Sequence, residues 1–395
     1  MTADYRSVVR RVLPPQSATS PLGTPIWPAV AYEATDADQL DATYTGEAPG
    51  FTYAREGHPN GTVLAEKLDW MEGAAAGVLT GSGMAAVGAV FLGVLQKGDH
   101  VVAGDQLYGR SLRLLREELP RMGVDVSLVD PTDGVAFAAA LRPETRLALV
   151  EVVANPTLRV AQMAQITAAC RDRGVILAVD NTFTTPRLYK PLAEGADLVI
   201  HSVTKLLSGH ADVTLGYVGA RDPALARRIY DVVASYGMTP SPFDCWLAER
   251  GLHTFDLRFE RAQATAAGLA DHLAGLDGVA AVLYPTRADH PDHNTAAALL
   301  RGQGGYMVSF RLDGGRETAN RFIRAARHIP FAPTLGDVAT TLSHPASSSH
   351  RGLSEDARAA LGITEGFIRV SVGIEDPALI LPEFETAVAA SRGAV

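Results

Sequence analysis

From about Glu56 onward, apolar residues fall in short continuous runs separated by helical stretches. Ala76–Thr80 (AGVLT), His100–Ala103 (HVVA), Asp125–Val129, Leu147–Val153 (LALVEVV), Val175–Val179 (VILAV) and Leu198–His201 (LVIH) read as strands at similar spacing. Helices are predicted after the first run through Leu95, from Ser111 to Met122, and around Met163–Asp172. Continuous apolar strands alternating with helices predict an α/β fold with a mostly parallel sheet buried on both faces. Such sheets bind ligands at the carboxyl ends of their strands, so the residues after each run carry the chemical interest.

The rhythm changes near residue 247. A long helical region, Cys245–Leu276, precedes the alternating Gly305–Leu312 (GYMVSFRL), a helix over Arg316–Arg327, a strand at Phe367–Val372 and a closing helix over Ala378–Ala390. This pattern predicts a smaller α+β domain over residues 247–395, after a larger one over 56–246. Residues 1–55, rich in Pro and Thr and weakly periodic, predict an extended arm.

The 395 residues, 47% apolar and 20% charged, supply a sizeable core for two or three domains. Thirty-five Lys and Arg against 44 Asp and Glu give a formal charge of −9 without long single-sign runs, so neither nucleic acid nor an anionic membrane is an expected partner. Arg6, Arg10 and Arg11 accordingly read as a solvated or interface arm. Two cysteines, Cys170 and Cys245, make no disulfide framework and, with no signal-peptide pattern at the start, predict a reducing cytoplasm. Cys170 and Cys245 both read as core, with a functional role for Cys245 kept as the lesser alternative. Gly73–Gln96 carries no charge, yet Gly81-Ser82-Gly83 interrupts it, predicting a buried strand, a turn and a buried helix instead of a membrane span.

That turn, opening a helix at Met84-Ala85-Ala86, would offer backbone N–H groups to a phosphate. It also fits a G-x-G-x-x-A dinucleotide fingerprint, with Asp105 as the ribose-binding acid of a nucleotide-dependent dehydrogenase. VILAV is followed by Asp180-Asn181, and LVIH by Ser202-Val203-Thr204-Lys205. A lysine placed just past a buried strand makes a competent amine nucleophile, and the Ser202 and Thr204 hydroxyls suit phosphate oxygens. Amine, acid and phosphate donors together match the needs of pyridoxal phosphate (PLP); an ordinary Asp180–Lys205 ion pair would use the same residues.

Asp180-Asn181-Thr182, His201–Lys205 and Ser208-Gly209-His210-Ala211-Asp212 together resemble the trans-sulfuration enzymes, the Cys/Met-metabolism family of fold-type I PLP enzymes. Tyr53-Ala54-Arg55, Gly81–Met84, Leu107-Tyr108-Gly109, Glu151–Pro156, Ser343–His350 and Arg369–Glu375 extend the resemblance over nearly the whole chain. It implies that Lys205 holds PLP as a Schiff base and shuttles protons, and that Asp180 keeps the pyridine nitrogen protonated. Tyr108 would stack on the ring and act as acid toward the leaving group. Gly83, Met84, Ser202 and Thr204 would bind the phosphate, and Tyr53 and Arg55 would reach the phosphate in a neighbouring subunit of a homo-oligomer, a tetramer built as a dimer of dimers. Asn155 and Arg369 would hold the substrate carboxylate, with Asn155 close to the ring hydroxyl and Thr334 supplying a nearby hydroxyl. No metal is implied, and His290, His293, His344 and His350 fit no standard metal spacing.

Within that family the departures speak to the reaction. Cystathionine γ-lyases and γ-synthases tend to carry Glu before a Ser-Leu-Gly segment, where this chain has Pro333-Thr334-Leu335-Gly336. Methionine γ-lyases usually have Cys after Tyr-Gly, where this chain has Arg110, which either recruits an anionic substrate group or faces solvent. The family's Gly-Asn-Pro-Thr run is altered to Gly57-His58-Pro59-Asn60. The expectation is a PLP-dependent carbon–sulfur lyase acting by γ-elimination on methionine or a related sulfur amino acid, with γ-replacement on an O-acylhomoserine as the alternative.

Overall fold

The computed structural model describes residues 17–393, so Arg6, Arg10 and Arg11 lie outside the described residues. Seven strands build the larger sheet: β1 (Ala76–Thr80), β2 (His100–Gly104), β3 (Asp125–Val129), β4 (Thr145–Glu151), β5 (Ile176–Asp180), β6 (Leu198–Ser202) and β7 (Gly216–Ala220). Their spatial order is β1-β7-β6-β5-β4-β2-β3. Leu147, Leu149 and Ala178 join the apolar cluster on one face, while Ala148, Val150, Leu177 and Val179 join the cluster on the other. Both faces are covered, which is why these strands are near-continuous apolar runs instead of alternating ones.

Two strand ends differ usefully from the sequence reading. Asp180 and Ser202 are the last residues of β5 and β6 rather than the first beyond them, so ladder hydrogen bonds hold their backbones. β7 was not foreseen, and it pairs antiparallel with both β6 and β1. No helix intervenes between Ser202 and Gly216, and a helix-free connection returns the chain antiparallel.

The predicted helix over Ser111–Met122 is broken into Gly109–Arg113, a π turn at Leu114–Glu118 and Leu119–Arg121; Pro120, which has no N–H to donate, lies in the final turn. Likewise, Cys245–Leu276 is two helices, Pro242–Leu252 and Phe255–Ala274. The arm is not extended throughout, because Asp36 caps a helix at Ala37–Thr45 that ends on the left-handed Gly46. Gly73–Gln96 folds as β1, the turn and the helix Gly83–Val94. Among the described residues no helix is long and apolar enough to cross a membrane.

A second sheet is wholly antiparallel, in the order β10-β11-β9-β8, with β8 at Val279–Leu283, β9 at Met307–Leu312, β10 at Thr341–Ser343 and β11 at Phe367–Ser371. Its core joins Phe310 to Phe322 and Phe384 from the helices Arg316–Ala325 and Pro377–Ser391. Arg369 lies in the middle of β11, flanked by Ser309 of β9 and Ser343 of β10.

Candidate active site

The helix Gly83–Val94 begins directly against the end of β6. Ser82 caps it, its Oγ accepting the Ala85 N–H at 3.1 Å, while the Ser82 carbonyl takes the Ala86 N–H. The Gly83 and Met84 N–H groups belong to the first turn and have no intrahelical acceptor, so they suit an external anion. Residue 83 has no room for a side chain: a Cβ there would come within 2.6 Å of Ser202 Cβ and 2.8 Å of its Oγ. The Ser202 N–H donates to Thr182 Oγ1 at 2.7 Å, tying the ends of β5 and β6 together. The Thr204 hydroxyl donates to the Leu215 carbonyl at 3.1 Å and accepts the Leu215 N–H at 2.9 Å. It therefore closes the lysine-bearing loop on itself, a use that the sequence did not reveal.

Lys205 follows in a tight turn, with its N–H donating to the Ser202 carbonyl and its carbonyl accepting from Gly209. Two contacts hold this turn from outside. Buried Arg258 donates to the Leu206, Leu207 and Gly251 carbonyls at 2.7, 3.0 and 2.8 Å. Gly336 packs so closely that a Cβ would lie 2.4 Å from the Leu206 nitrogen. Burial, and then the Arg369 charge, lower the Lys205 pKa from its ordinary 10.5, favouring the neutral amine. Asp180 and Lys205 are not ion-paired to each other among the described residues; Asp180 Oδ1 instead accepts the Thr182 N–H at 3.0 Å.

Arg369 is 4% exposed, and burial lowers its pKa to about 10. It donates through Nη1 to Asn155 Oδ1 at 2.8 Å and through Nη2 to the Thr334 carbonyl at 2.6 Å. Its Nε has no partner and is buried. Thr334 thus enters the site through its backbone, and Asn155 spends its amide oxygen on orienting the guanidinium. Gly109 brings the Tyr108 segment against the Ser343–His350 loop, since a Cβ there would lie 2.4 Å from the Ser349 carbonyl. Tyr108 itself is 42% exposed, and Arg110 is exposed without an ion pair among the described residues.

Sequence reasoning missed Glu151. It closes β4 in register with Asp180 and accepts the Tyr108 N–H on Oε1 at 2.7 Å. Its only signal was an acid ending an apolar run. A second buried cluster also went unread: His201 Nε2 contacts Glu72 Oε1, which accepts from Asn181 Nδ2 at 2.9 Å.

Tyr53 and Arg55 are not brought to this cluster within the chain. The Arg55 guanidinium stacks over the Tyr53 ring at 5.4 Å and pairs with Glu56 at 3.2 Å. Arg55 lines a separate cleft of about 770 Å³ with Tyr44, Phe51, Arg227 and Tyr230. Cys245 is fully buried and its thiol is pushed up to about 12 by burial, so it is no reactive thiol. His344 and His350 bond to Ser347 Oγ and Ser349 Oγ, at 2.9 Å each.

These residues fit PLP on three physical counts. A glycine-only cradle with two free N–H groups suits a phosphate, a buried amine favours its neutral form, and a carboxylate ends the adjacent strand. Comparison with known proteins agrees. Residues 8–389 match the family described as Cys/Met metabolism PLP-dependent enzyme. Cystathionine γ-synthase of Escherichia coli K12 is 39% identical over 90% of this chain and 93% of its own length. L-methionine γ-lyase of Pseudomonas putida is 35% identical over 95% of both chains. The crystal structure of cystathionine γ-synthase from Xanthomonas oryzae pv. oryzae in complex with cystathionine superposes with a TM-score of 0.90 at 35% identity, over 95% of both chains. The dinucleotide reading of Gly81–Ala86 is thereby overturned, because the same turn opens the helix of a PLP fold: the chain belongs to the Cys/Met metabolism family of PLP-dependent enzymes.

Proposed function

We propose that the protein is a carbon–sulfur lyase that removes the γ-substituent of methionine or a related sulfur amino acid, giving an α-keto acid, ammonia and a thiol. One observation carries this reading. The segment that holds Arg369 through the Thr334 carbonyl, Phe331-Ala332-Pro333-Thr334-Leu335-Gly336, contains no acid and exposes Phe331 and Pro333; the acid that follows, Asp337, accepts the Ala339 N–H and acts on buried Arg258. Such a rim suits an apolar thioether and offers no partner to a distal ammonium.

PLP, when bound, supplies the electron sink that makes the Cα proton removable. Arg369 binds the substrate α-carboxylate, held in orientation by Asn155 and Thr334. Lys205 Nζ, whose pKa burial lowers toward the neutral form, would take the Cα proton, give it up again to the bound cofactor, and only then be free to take a Cβ proton. Tyr108 Oη gives a proton to the departing sulfur, and water completes release of the keto acid and ammonia. Asp180 would face the pyridine nitrogen, while Gly83, Met84 and Ser202 would hold the phosphate. Tyr53 and Arg55 would serve the site of a second subunit, since within one chain Arg55 lines a different cleft and stacks over the Tyr53 ring.

A second reading, γ-replacement on an O-acylhomoserine, draws on Arg110, an exposed cation two residues after Tyr108 that would pair with an acyl carboxylate. A product assay separates the two. Methionine, cystathionine, homocysteine, cysteine, O-acetylhomoserine and O-succinylhomoserine are supplied singly, each with and without added thiol. Keto acid and ammonia from methionine alone support the lyase; product only from an O-acylhomoserine plus thiol overturns it, and a preference for the succinyl ester would fit the Arg110 pairing.

A further inference from the structure

We propose that Glu151 is a positioning residue, anchoring the Tyr108 main chain and forming with Asp180 a side-by-side carboxyl pair that carries one negative charge. The inference rests on the assignment of Asp180 and Tyr108 above. Glu151 and Asp180 end adjacent parallel strands in register, and strand alternation puts both on the face that also carries Leu149 and Ala178. Adjacent strands lie about 4.8 Å apart, so both groups cannot ionise together away from water. Burial first, and then Asp180, raise the Glu151 pKa well above its ordinary value; burial raises that of Asp180 too, but there Thr182 and His201 oppose it, so Glu151 is assigned as the neutral member. That protonation leaves the single charge on Asp180, which would face the pyridine nitrogen of bound PLP.

The geometry on the other side is equally specific. Tyr108 precedes the short helix Gly109–Arg113 with no side-chain cap, and its ring is partly exposed, so its N–H bond to Glu151 Oε1 ties the tyrosine to the sheet edge. Thr182 and His201 face Asp180, and the Asn155 N–H also reaches Glu151. One carboxyl group therefore links the residue that protonates the leaving group to the residue that fixes the ring's charge.

Two substitutions divide the roles. Glu151→Gln keeps an acceptor for the Tyr108 N–H and, like the protonated acid it replaces, carries no charge, so kcat should stay within about threefold of the parent. The acid limb of cofactor retention, followed by the visible band of the purified holoenzyme, should therefore stay where it is in the parent; a limb moved about one unit lower would show that Glu151 had been ionised beside Asp180 and overturn the single-charge pair. Glu151→Leu removes the acceptor as well and should lower kcat about tenfold or more with KM little changed. The visible circular dichroism of the bound cofactor should change with it, because the stacking tyrosine has moved. Unchanged circular dichroism in Glu151→Leu, with only a lower melting temperature, would show a merely structural glutamate and overturn the proposal. If Glu151→Leu does not fold, Glu151→Ala, which also lacks the acceptor, takes its place, and the acid limb of Glu151→Gln still decides the charge of the pair. Tyr108→Phe and Asp180→Asn measured in parallel keep the issues apart: full activity in both would sink the site assignment itself, whatever Glu151 does.

Discussion

Gly83→Ala should weaken cofactor binding while leaving the fold intact. The added Cβ would meet Ser202 Cβ at 2.6 Å, Oγ at 2.8 Å and Cα at 3.0 Å. Carbon atoms pack comfortably at about 3.5–4.0 Å, so the first turn of Gly83–Val94 and the end of β6 must separate by roughly 1 Å. Ser202 has little freedom to retreat, being paired with Gly216 on β7 and bonded to Thr182 Oγ1. Gly216 is itself pressed on the turn, where a Cβ would lie 2.2 Å from the Ser82 carbonyl. The helix start therefore moves, carrying the two N–H groups off the phosphate. Losing one such charged hydrogen bond costs about 1.5–3 kcal/mol, or roughly ten- to a hundredfold in the PLP dissociation constant. The assay is equilibrium titration of cofactor-free protein with PLP, followed by the visible band, alongside a melting curve without PLP. Gly88→Ala is the control, since nothing lies within 4 Å of its Cβ and alanine should stabilise the helix by up to about 1 kcal/mol. A Gly83→Ala protein with parental PLP affinity would refute the assignment of this turn as the phosphate cradle.

Two further outcomes are expected. His350 is buried beside the positive field of Arg369, and burial lowers its pKa from an ordinary 6.5 to about 4. Between those values the unfolded chain binds the extra proton and the folded one does not, so the stability this histidine contributes is complete above pH 6.5 and is lost as pH falls toward 4, by roughly 3 kcal/mol at most. His58, His100 and His290 are lowered as well, so the test is the difference between parent and His350→Gln melting curves across that window; identical slopes would discard it. Lys205→Ala should abolish turnover without unfolding, and mixing it with Arg55→Ala chains should restore part of the activity if Arg55 completes a neighbour's site. Verified mixed oligomers that stay inactive would remove the shared site.

The sequence was most readable where burial dictated composition. Continuous apolar runs gave five of the seven large-sheet strands to within a residue or so at either end, because a parallel strand covered on both faces admits little else. Leu147–Val153 sits two residues late against Thr145–Glu151, since Thr145 and Arg146 extend the ladder with polar side chains. β7 is Gly-Tyr-Val-Gly-Ala, with too few large apolar residues to register as a run. The helix Ala37–Thr45 has no buried residue, so only its Asp36 and Gly46 caps betray it. The chemistry divided along similar lines. Lys205 and Asp180 were visible because charge is conspicuous at the end of an apolar strand, whereas Arg369, in the middle of β11, entered only through the family resemblance.

What the linear chain could not show is which polar atoms are already spent. The Thr204 hydroxyl is committed to Leu215, Thr334 acts through its carbonyl, and Arg258 holds the lysine turn from 53 positions away in the chain, fastening three carbonyls that no local pattern marks as acceptors. The same accounting bears on the reaction. Three residues of the apparatus, Lys205, Asp180 and Arg369, are anchored by buried backbone and side-chain contacts, whereas Arg110, Pro333 and Phe331 are exposed at its rim. Substitution at the anchored positions strains a packed network, while substitution at the rim costs little stability. If the rim sets the choice between elimination and replacement, Arg110→Cys, which supplies the residue that methionine γ-lyases usually carry there, should shift substrate preference without disturbing the cofactor; unchanged product ratios across the same substrates would place that choice elsewhere.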